Sequence, residues 1–124
     1  MKMLFQNERG MSLIEVLVAV LILGLALVPL MSTFASGSLF ATRARHEVKA
    51  LNLAQSKLEE IKNLPASSVA SVTSPAAFPG NPGYSYQLSV AGGVYNLKTV
   101  TVSVYYQDGS TPKELVLTTE KLKR

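Results

Sequence analysis

The fold is decided by one stretch, residues 10–28, which reads GMSLIEVLVAVLILGLALV. It opens a run of 27 residues, from Val16 to Thr42, that carries no ionisable side chain. As an α-helix such a run extends about 40 Å, since each residue adds about 1.5 Å. The hydrocarbon core of a bilayer needs only about 20 helical residues. The run therefore predicts a membrane-spanning helix near the start of the chain.

The composition of the chain narrows the classes of protein that it can belong to. It has 124 residues, of which 48% are hydrophobic and 16% charged, with a formal net charge of +4. This length allows one small domain. Cysteine is absent, which excludes disulfides, thiol nucleophiles and zinc fingers. The single histidine, His46, leaves no material for a histidine-rich metal site, and we read it as a solvated side chain beside Glu47.

Two other readings of the apolar run are weaker. A buried core helix of a soluble protein is disfavoured because the remaining chain is too small to surround it on all sides. A secretory signal peptide is disfavoured because its apolar region spans only about 7–15 residues. Residues 35–38, Ala-Ser-Gly-Ser, would also make an imperfect signal cleavage site.

A single carboxylate, Glu15, interrupts the start of the apolar run. An acidic side chain inside a membrane costs about 2.5–3.5 kcal/mol at the bilayer centre and less near the interface, so it marks a functional site. No lysine or arginine follows within reach on the same helix. A cut after Gly10 would supply a partner, because Met11 would then carry a positively charged α-amine. Glu15 of one subunit can pair with that amine on a neighbouring subunit, which offsets desolvation and fixes the register of adjacent helices.

The segment Gly10-Met11-Ser12-Leu13-Ile14-Glu15-Val16 resembles the class III leader and cleavage site of type IV pilins and type II secretion pseudopilins. The resemblance implies that residues 1–10 form a leader that prepilin peptidase removes on the cytoplasmic side. It also implies that Met11 becomes the N-methylated terminus and that Glu15 serves filament assembly. The motif is specific, because it combines a glycine, an apolar residue and a glutamate at the fifth mature position within a long apolar run.

The chain departs from the common family pattern at two positions. Phenylalanine is most frequent where Met11 stands, and the helix-bending proline of many major pilins falls three residues later than Pro29. Gly24 matches the family's glycine. We expect the helix to bend or partly unwind at Gly24 and Pro29, because proline lacks an N–H and clashes with the preceding turn.

The region after the membrane segment predicts an amphipathic continuation of the same helix. We divide the helix into a hydrophobic transmembrane and assembly part, 11–38, and an amphipathic part, 39–64, which Pro65 ends. Apolar residues recur at spacings of three, four or seven, and we expect them to contact a sheet. They are Phe40, Ala44, Val48, Leu51, Leu58 and Ile61.

The rest of the chain predicts a loop followed by a sheet. Residues 65–83 are uncharged and rich in proline and serine, which favours a surface loop. Residues 84–124 hold three alternating or β-rich runs separated by Gly92-Gly93 and Asp108-Gly109. The expected fold is α+β, a pilin-like lollipop with one long helix packed on an antiparallel sheet of about three strands.

We found no sequence motif of an enzyme. Glu59 and Glu60 are adjacent on a helix and face different ways, and no phosphate loop, metal spacing or nucleophile motif is present. We therefore expect no catalysis, no cofactor and no metal. The basic residues Lys113, Lys121, Lys123 and Arg124 read as a solvated end of the chain, so no nucleic-acid partner is expected.

The sequence leaves three functions to be separated. The first is a minor pilin, held in the inner membrane with its N-terminus in the cytoplasm and its sheet outside, and assembled with other pilin subunits. The second is a type II secretion pseudopilin. The third is an uncleaved single-pass anchor that displays a small binding domain and keeps Met1 as its N-terminus.

Overall fold

A computed structural model describes residues 10–122 of the chain. The elements are a long helix α1, Leu13–Asn63, a short 3-10 helix η1, Ala66–Ser68, and four strands. The strands are β1, Val72–Ala77, β2, Tyr84–Gly92, β3, Leu97–Asp108, and β4, Thr111–Leu122. Most of the expected leader, together with Lys123 and Arg124, lies outside the described residues. The described chain falls into an N-terminal unit, residues 10–40, and a C-terminal unit, residues 41–122.

The N-terminal unit consists almost entirely of the first part of α1. Its large apolar side chains are all exposed, with fractions between 41% for Val16 and 80% for Leu13. α1 is long and apolar enough to cross a membrane, and none of its most apolar 18-residue window is buried. A core helix would be mostly buried, so the exposure disfavours the alternative of a soluble core helix.

The C-terminal unit combines the second part of α1 with an antiparallel sheet in the strand order β1-β2-β3-β4. The α+β class and the single long helix are thereby confirmed. The expected strand count of about three is wrong, since the sheet has four strands. The additional strand, β1, lies within the segment 65–83, for which the sequence predicts a loop.

β1 escaped sequence analysis because its composition is poor for a strand. It reads VTSPAA, without the alternation of apolar and polar residues that marks a half-buried strand. Pro75 lies inside it, and proline is confined to edge strands because it cannot donate to a ladder. β1 is an edge strand, and its pairing with β2 is irregular between Val72 and Ala76. Pairing with β2 therefore accounts for the extended conformation of β1, because the residues of β1 have little preference for a strand.

The core of the C-terminal unit lies between α1 and the inner face of the sheet. The centre of β3 contributes the most deeply buried side chains, Val100, Val102 and Val104, which sit on the face expected from their alternation. β2 adds Tyr84 and Leu88. Helix α1 buries four residues at helical spacing, namely Ala50, Ala54, Leu58 and Ile61.

The expected stripe on α1 is only partly right. Leu58 and Ile61 are buried, but Phe40 and Val48 are 65% and 54% exposed and Ala44 is exposed. In place of these three residues, α1 packs Ala50 and Ala54 into the core beside the sheet. Small side chains allow the helix backbone to approach the sheet closely, so the buried row is set by size as well as by hydrophobicity.

Two lysines hold the end of α1 and the turn that follows it. Lys121 Nζ donates to the carbonyl oxygens of Ile61, at 2.6 Å, and Lys62, at 2.8 Å, and also to that of Leu64. Lys98 Nζ donates to the Ala66 carbonyl at 2.6 Å. The last carbonyls of a helix lack intrahelical donors and carry partial negative charge, so an ammonium group stabilises them. Lys121 thus caps the helix, and the prediction that it belongs to a solvated basic end is wrong.

Candidate assembly site

The start of α1 is organised by Ser12. Its carbonyl oxygen accepts the N–H groups of Glu15, at 2.9 Å, and Val16, at 3.2 Å, which places Ser12 at the N-cap position. Its hydroxyl oxygen accepts the N–H of Ile14 at 3.3 Å. The first N–H groups of a helix have no partner within the helix, and a serine hydroxyl at the N-cap supplies one.

Glu15 completes this arrangement from the third helical position. Its Oε2 accepts the backbone N–H of Ser12 at 2.9 Å. The two residues form a capping box, in which the cap residue and the acidic residue each satisfy a backbone donor. The carboxylate also lies at the helix end where the macrodipole is positive. The expectation that Glu15 depends entirely on an outside partner is therefore incomplete, since a neutral donor in its own chain already binds it.

The residues of the expected cleavage site are accessible. Gly10 and Met11 are exposed, Met11 at 71%. A methyl group built on Gly10 would meet no other atom within 4 Å. Cleavage and methylation at these residues stay predictions, but nothing in the described chain shields the bond between them.

Helix α1 continues through the two residues at which we expect a bend. Gly24 and Pro29 both lie inside α1, and the helical assignment is unbroken across them. Thr33 Oγ1 donates to the Pro29 carbonyl at 2.9 Å. The expected bend or unwinding at these residues stays a prediction for the assembled subunit.

The C-terminal unit places the one histidine in a half-buried position. His46 Nδ1 lies 2.9 Å from the Tyr84 hydroxyl, and Lys49 Nζ lies 5.0 Å from the centre of the same ring. The prediction that His46 is a solvated side chain is wrong, because His46 is half-buried and contacts the hydroxyl of Tyr84, which is a core residue. Burial raises the pKa of Tyr84 above its usual value. These contacts join α1 to β2.

The sequence of the first unit matches a known family model. Residues 5–31 match the prokaryotic N-terminal methylation motif. The chain carries the N-terminal methylation motif of the type IV pilin-like family. No curated protein and no solved structure matches the chain significantly. The matched segment includes Gly10, Met11, Glu15, Gly24 and Pro29, and it ends before the C-terminal unit begins.

The methylation motif supports a pilin-like or pseudopilin precursor, anchored in the inner membrane by the apolar part of α1. Proteins with this motif are structural subunits. Glu15 is among the residues predicted from the sequence, whereas Ser12 is not. The signal was present, because serine followed three residues later by glutamate before an apolar run is the pattern of a capping box.

Proposed function

We propose that this chain is a minor-pilin-like subunit that prepilin peptidase cuts between Gly10 and Met11. The Met11 amine is methylated, and the subunit is assembled into a type IV pilus. The observation that carries the proposal is the placement of Glu15. It is the only ionisable side chain between Met11 and Thr42, and it lies at the first turn of a helix whose apolar surface is exposed.

The capping box explains how the carboxylate is stored before assembly. While the subunit is a monomer, the Ser12 N–H and the positive end of the helix dipole stabilise Glu15. A carboxylate has about four sites for accepting hydrogen bonds, so one backbone donor leaves room for a cation. The methylated amine of Met11 on a neighbouring subunit supplies that cation, and the ion pair then fixes the axial register of the two helices.

The experiment has two measurements on the protein from its native host. Mass spectrometry of the intact chain is expected to show a mature N-terminus at N-methyl-Met11. Glu15→Val is expected to leave cleavage unchanged and to reduce incorporation into filaments by about tenfold, the loss of about 1.4 kcal/mol of subunit pairing. Glu59→Val, which removes an exposed carboxylate from another part of α1, is the matched control.

Two results would contradict the proposal. A chain that retains Met1 would favour the uncleaved single-pass anchor, and wild-type incorporation of Glu15→Val would remove the proposed ion pair. Deletion of the gene separates a pilus from a secretion apparatus. Loss of surface pili with normal protein export supports the minor pilin, and the reverse supports the pseudopilin.

A further inference from the structure

β4 forms an unusually open edge of the sheet. It has 12 residues, pairs with β3 along its whole length, and has no strand from residues 10–122 on its other side. Long exposed edges invite pairing with another strand, so proteins usually interrupt them with proline, lysine or a bulge. The opposite edge, β1, has such an interruption at Pro75. β4 has Pro112 and Lys113 at one end, but its centre, Glu114 to Thr119, reads ELVLTT.

The geometry of the β3–β4 hairpin shows which amides of β4 are free. Asp108 pairs with Thr111 across a two-residue loop, so these two residues form the first hydrogen-bonded pair. Hydrogen-bonded and non-bonded pairs alternate along an antiparallel ladder. Pro112, which has no N–H, fits the non-bonded pair that follows. The alternation then directs four backbone N–H groups away from β3, those of Glu114, Val116, Thr118 and Glu120.

The same four residues point their side chains to the outer face of the sheet, where all four are exposed. Two of them are carboxylates, Glu114 and Glu120, and neither takes part in an ion pair within residues 10–122. The β3 residues on this face carry no basic group, since Leu97, Thr99, Thr101, Ser103, Tyr105 and Gln107 alternate with the buried valines. The edge therefore combines free backbone groups, an exposed Val116 and, on the outer face of the described strands, two carboxylates without an ion pair.

We infer that β4 binds an extended segment of a different filament subunit, which adds to the sheet as a fifth strand and carries basic side chains on its outer face. Main-chain hydrogen bonds give affinity in this mode, and side chains give specificity. A second copy of this chain fits poorly. Antiparallel pairing of two β4 strands brings Glu114 opposite or diagonal to Glu120 of the other copy, and the outer row of β4, as far as Leu122, holds no cation to offset the repulsion.

This inference rests on the proposed function and is tested by Val116→Pro in the full chain. Proline there removes an N–H that faces away from β3 and leaves the β3–β4 hydrogen bonds in place. We expect normal cleavage and folding and about tenfold lower incorporation into filaments. Val116→Thr, which retains the N–H and the branched side chain, is the control and is expected to assemble normally.

Amide exchange provides a second measurement that does not depend on folding of a variant. The Val116 N–H is expected to exchange rapidly in the detergent-solubilised subunit and slowly in the filament. The Leu117 N–H, which bonds to β3, is expected to be protected in both states. Equal exchange of Val116 in subunit and filament would overturn the inference.

The nature of the partner is tested by Glu114→Gln combined with Glu120→Gln. Weaker incorporation supports a basic partner strand, whereas unchanged or stronger incorporation overturns it, and stronger incorporation indicates a second copy. Failure of the edge is distinguishable from failure of the proposed function. If Val116→Pro assembles normally while assembly still requires Glu15 and cleavage after Gly10, only the edge is excluded.

Discussion

At the scale of single residues, Gly10 is the residue that precedes the proposed cleavage. A side chain there has open space around it within the described chain, so a substitution does not disturb the fold. We expect Gly10→Leu to block the proposed removal of the leader, because we expect the subsite of the peptidase to accept only a residue without a side chain. Gly37→Leu, also at an open position, is the control and is expected to be cleaved normally. Mass measurement of both chains decides, and normal processing of Gly10→Leu would argue against the cleavage site.

Lys121 is the residue that the end of α1 depends on most. Replacing it by methionine keeps an unbranched side chain that is one atom shorter and removes the donor for three carbonyl groups. We expect the free energy of unfolding to fall by about 1–3 kcal/mol, the cost of polar groups left without partners.

Lys113→Met is the control for this loss. Lys113 lies on the same strand and is exposed, so its replacement is expected to change stability by less than about 0.5 kcal/mol. Denaturant titration of the full chain in detergent measures both variants. An equal loss of unfolding free energy in the two variants would show that the hydrogen bonds from Lys121 to the helix end do not stabilise the fold.

At the scale of elements, the β2–β3 hairpin contains a strained turn. Tyr95 and Asn96 both have positive φ, 58° and 67°, and the Tyr95 side chain is 90% exposed. The Leu97 N–H donates to the Val94 carbonyl at 3.4 Å, which closes the turn around them. Left-handed backbone suits glycine and asparagine and costs other residues about 1–2 kcal/mol.

We therefore expect Tyr95→Asn to raise the free energy of unfolding by about 1 kcal/mol. Tyr95→Phe keeps the strain and is expected to change nothing. Thermal unfolding of the three chains compares them. A loss of stability in Tyr95→Asn would show that the ring contributes more than its exposure indicates.

The elements differ in how far the sequence determines them. The apolar part of α1 was predictable because 27 residues without an ionisable group have few other solutions than a long apolar helix. β3 was predictable from the alternation of Val100, Val102 and Val104. β1 was not predictable, because its neighbour determines it. The contacts of Lys121 with Ile61 and of His46 with Tyr84 join residues far apart in sequence, and no local pattern reports them.

At the scale of the whole molecule, the buried Tyr84 and the half-buried Tyr106 make stability depend on pH. Burial raises the pKa of Tyr84, and burial together with the nearby carboxylates Glu47 and Asp108 raises that of Tyr106. Above the usual tyrosine pKa of about 10, the unfolded chain loses these protons before the folded chain does. Stability is therefore retained below about pH 10 and falls as the pH rises further.

Unfolding of the full chain by denaturant between pH 8 and pH 11 measures this loss. Tyr106→Phe is expected to reduce the dependence on pH, because it removes one of the two groups. A free energy of unfolding that stays constant to pH 11 would contradict the expectation, and so would an unchanged slope in the variant.

The cap that Lys121 places on α1 has a consequence for the order of folding. The carbonyl groups that it binds belong to residues 61–64, about half the chain earlier. In the topology that we expect, with the sheet outside the membrane, the second part of α1 crosses well before the residue that closes its end. The outer unit is therefore expected to remain loosely structured during translocation and to become rigid only once β4 has arrived. A subunit that assembles as proposed would therefore present a complete C-terminal unit only after the whole chain has crossed.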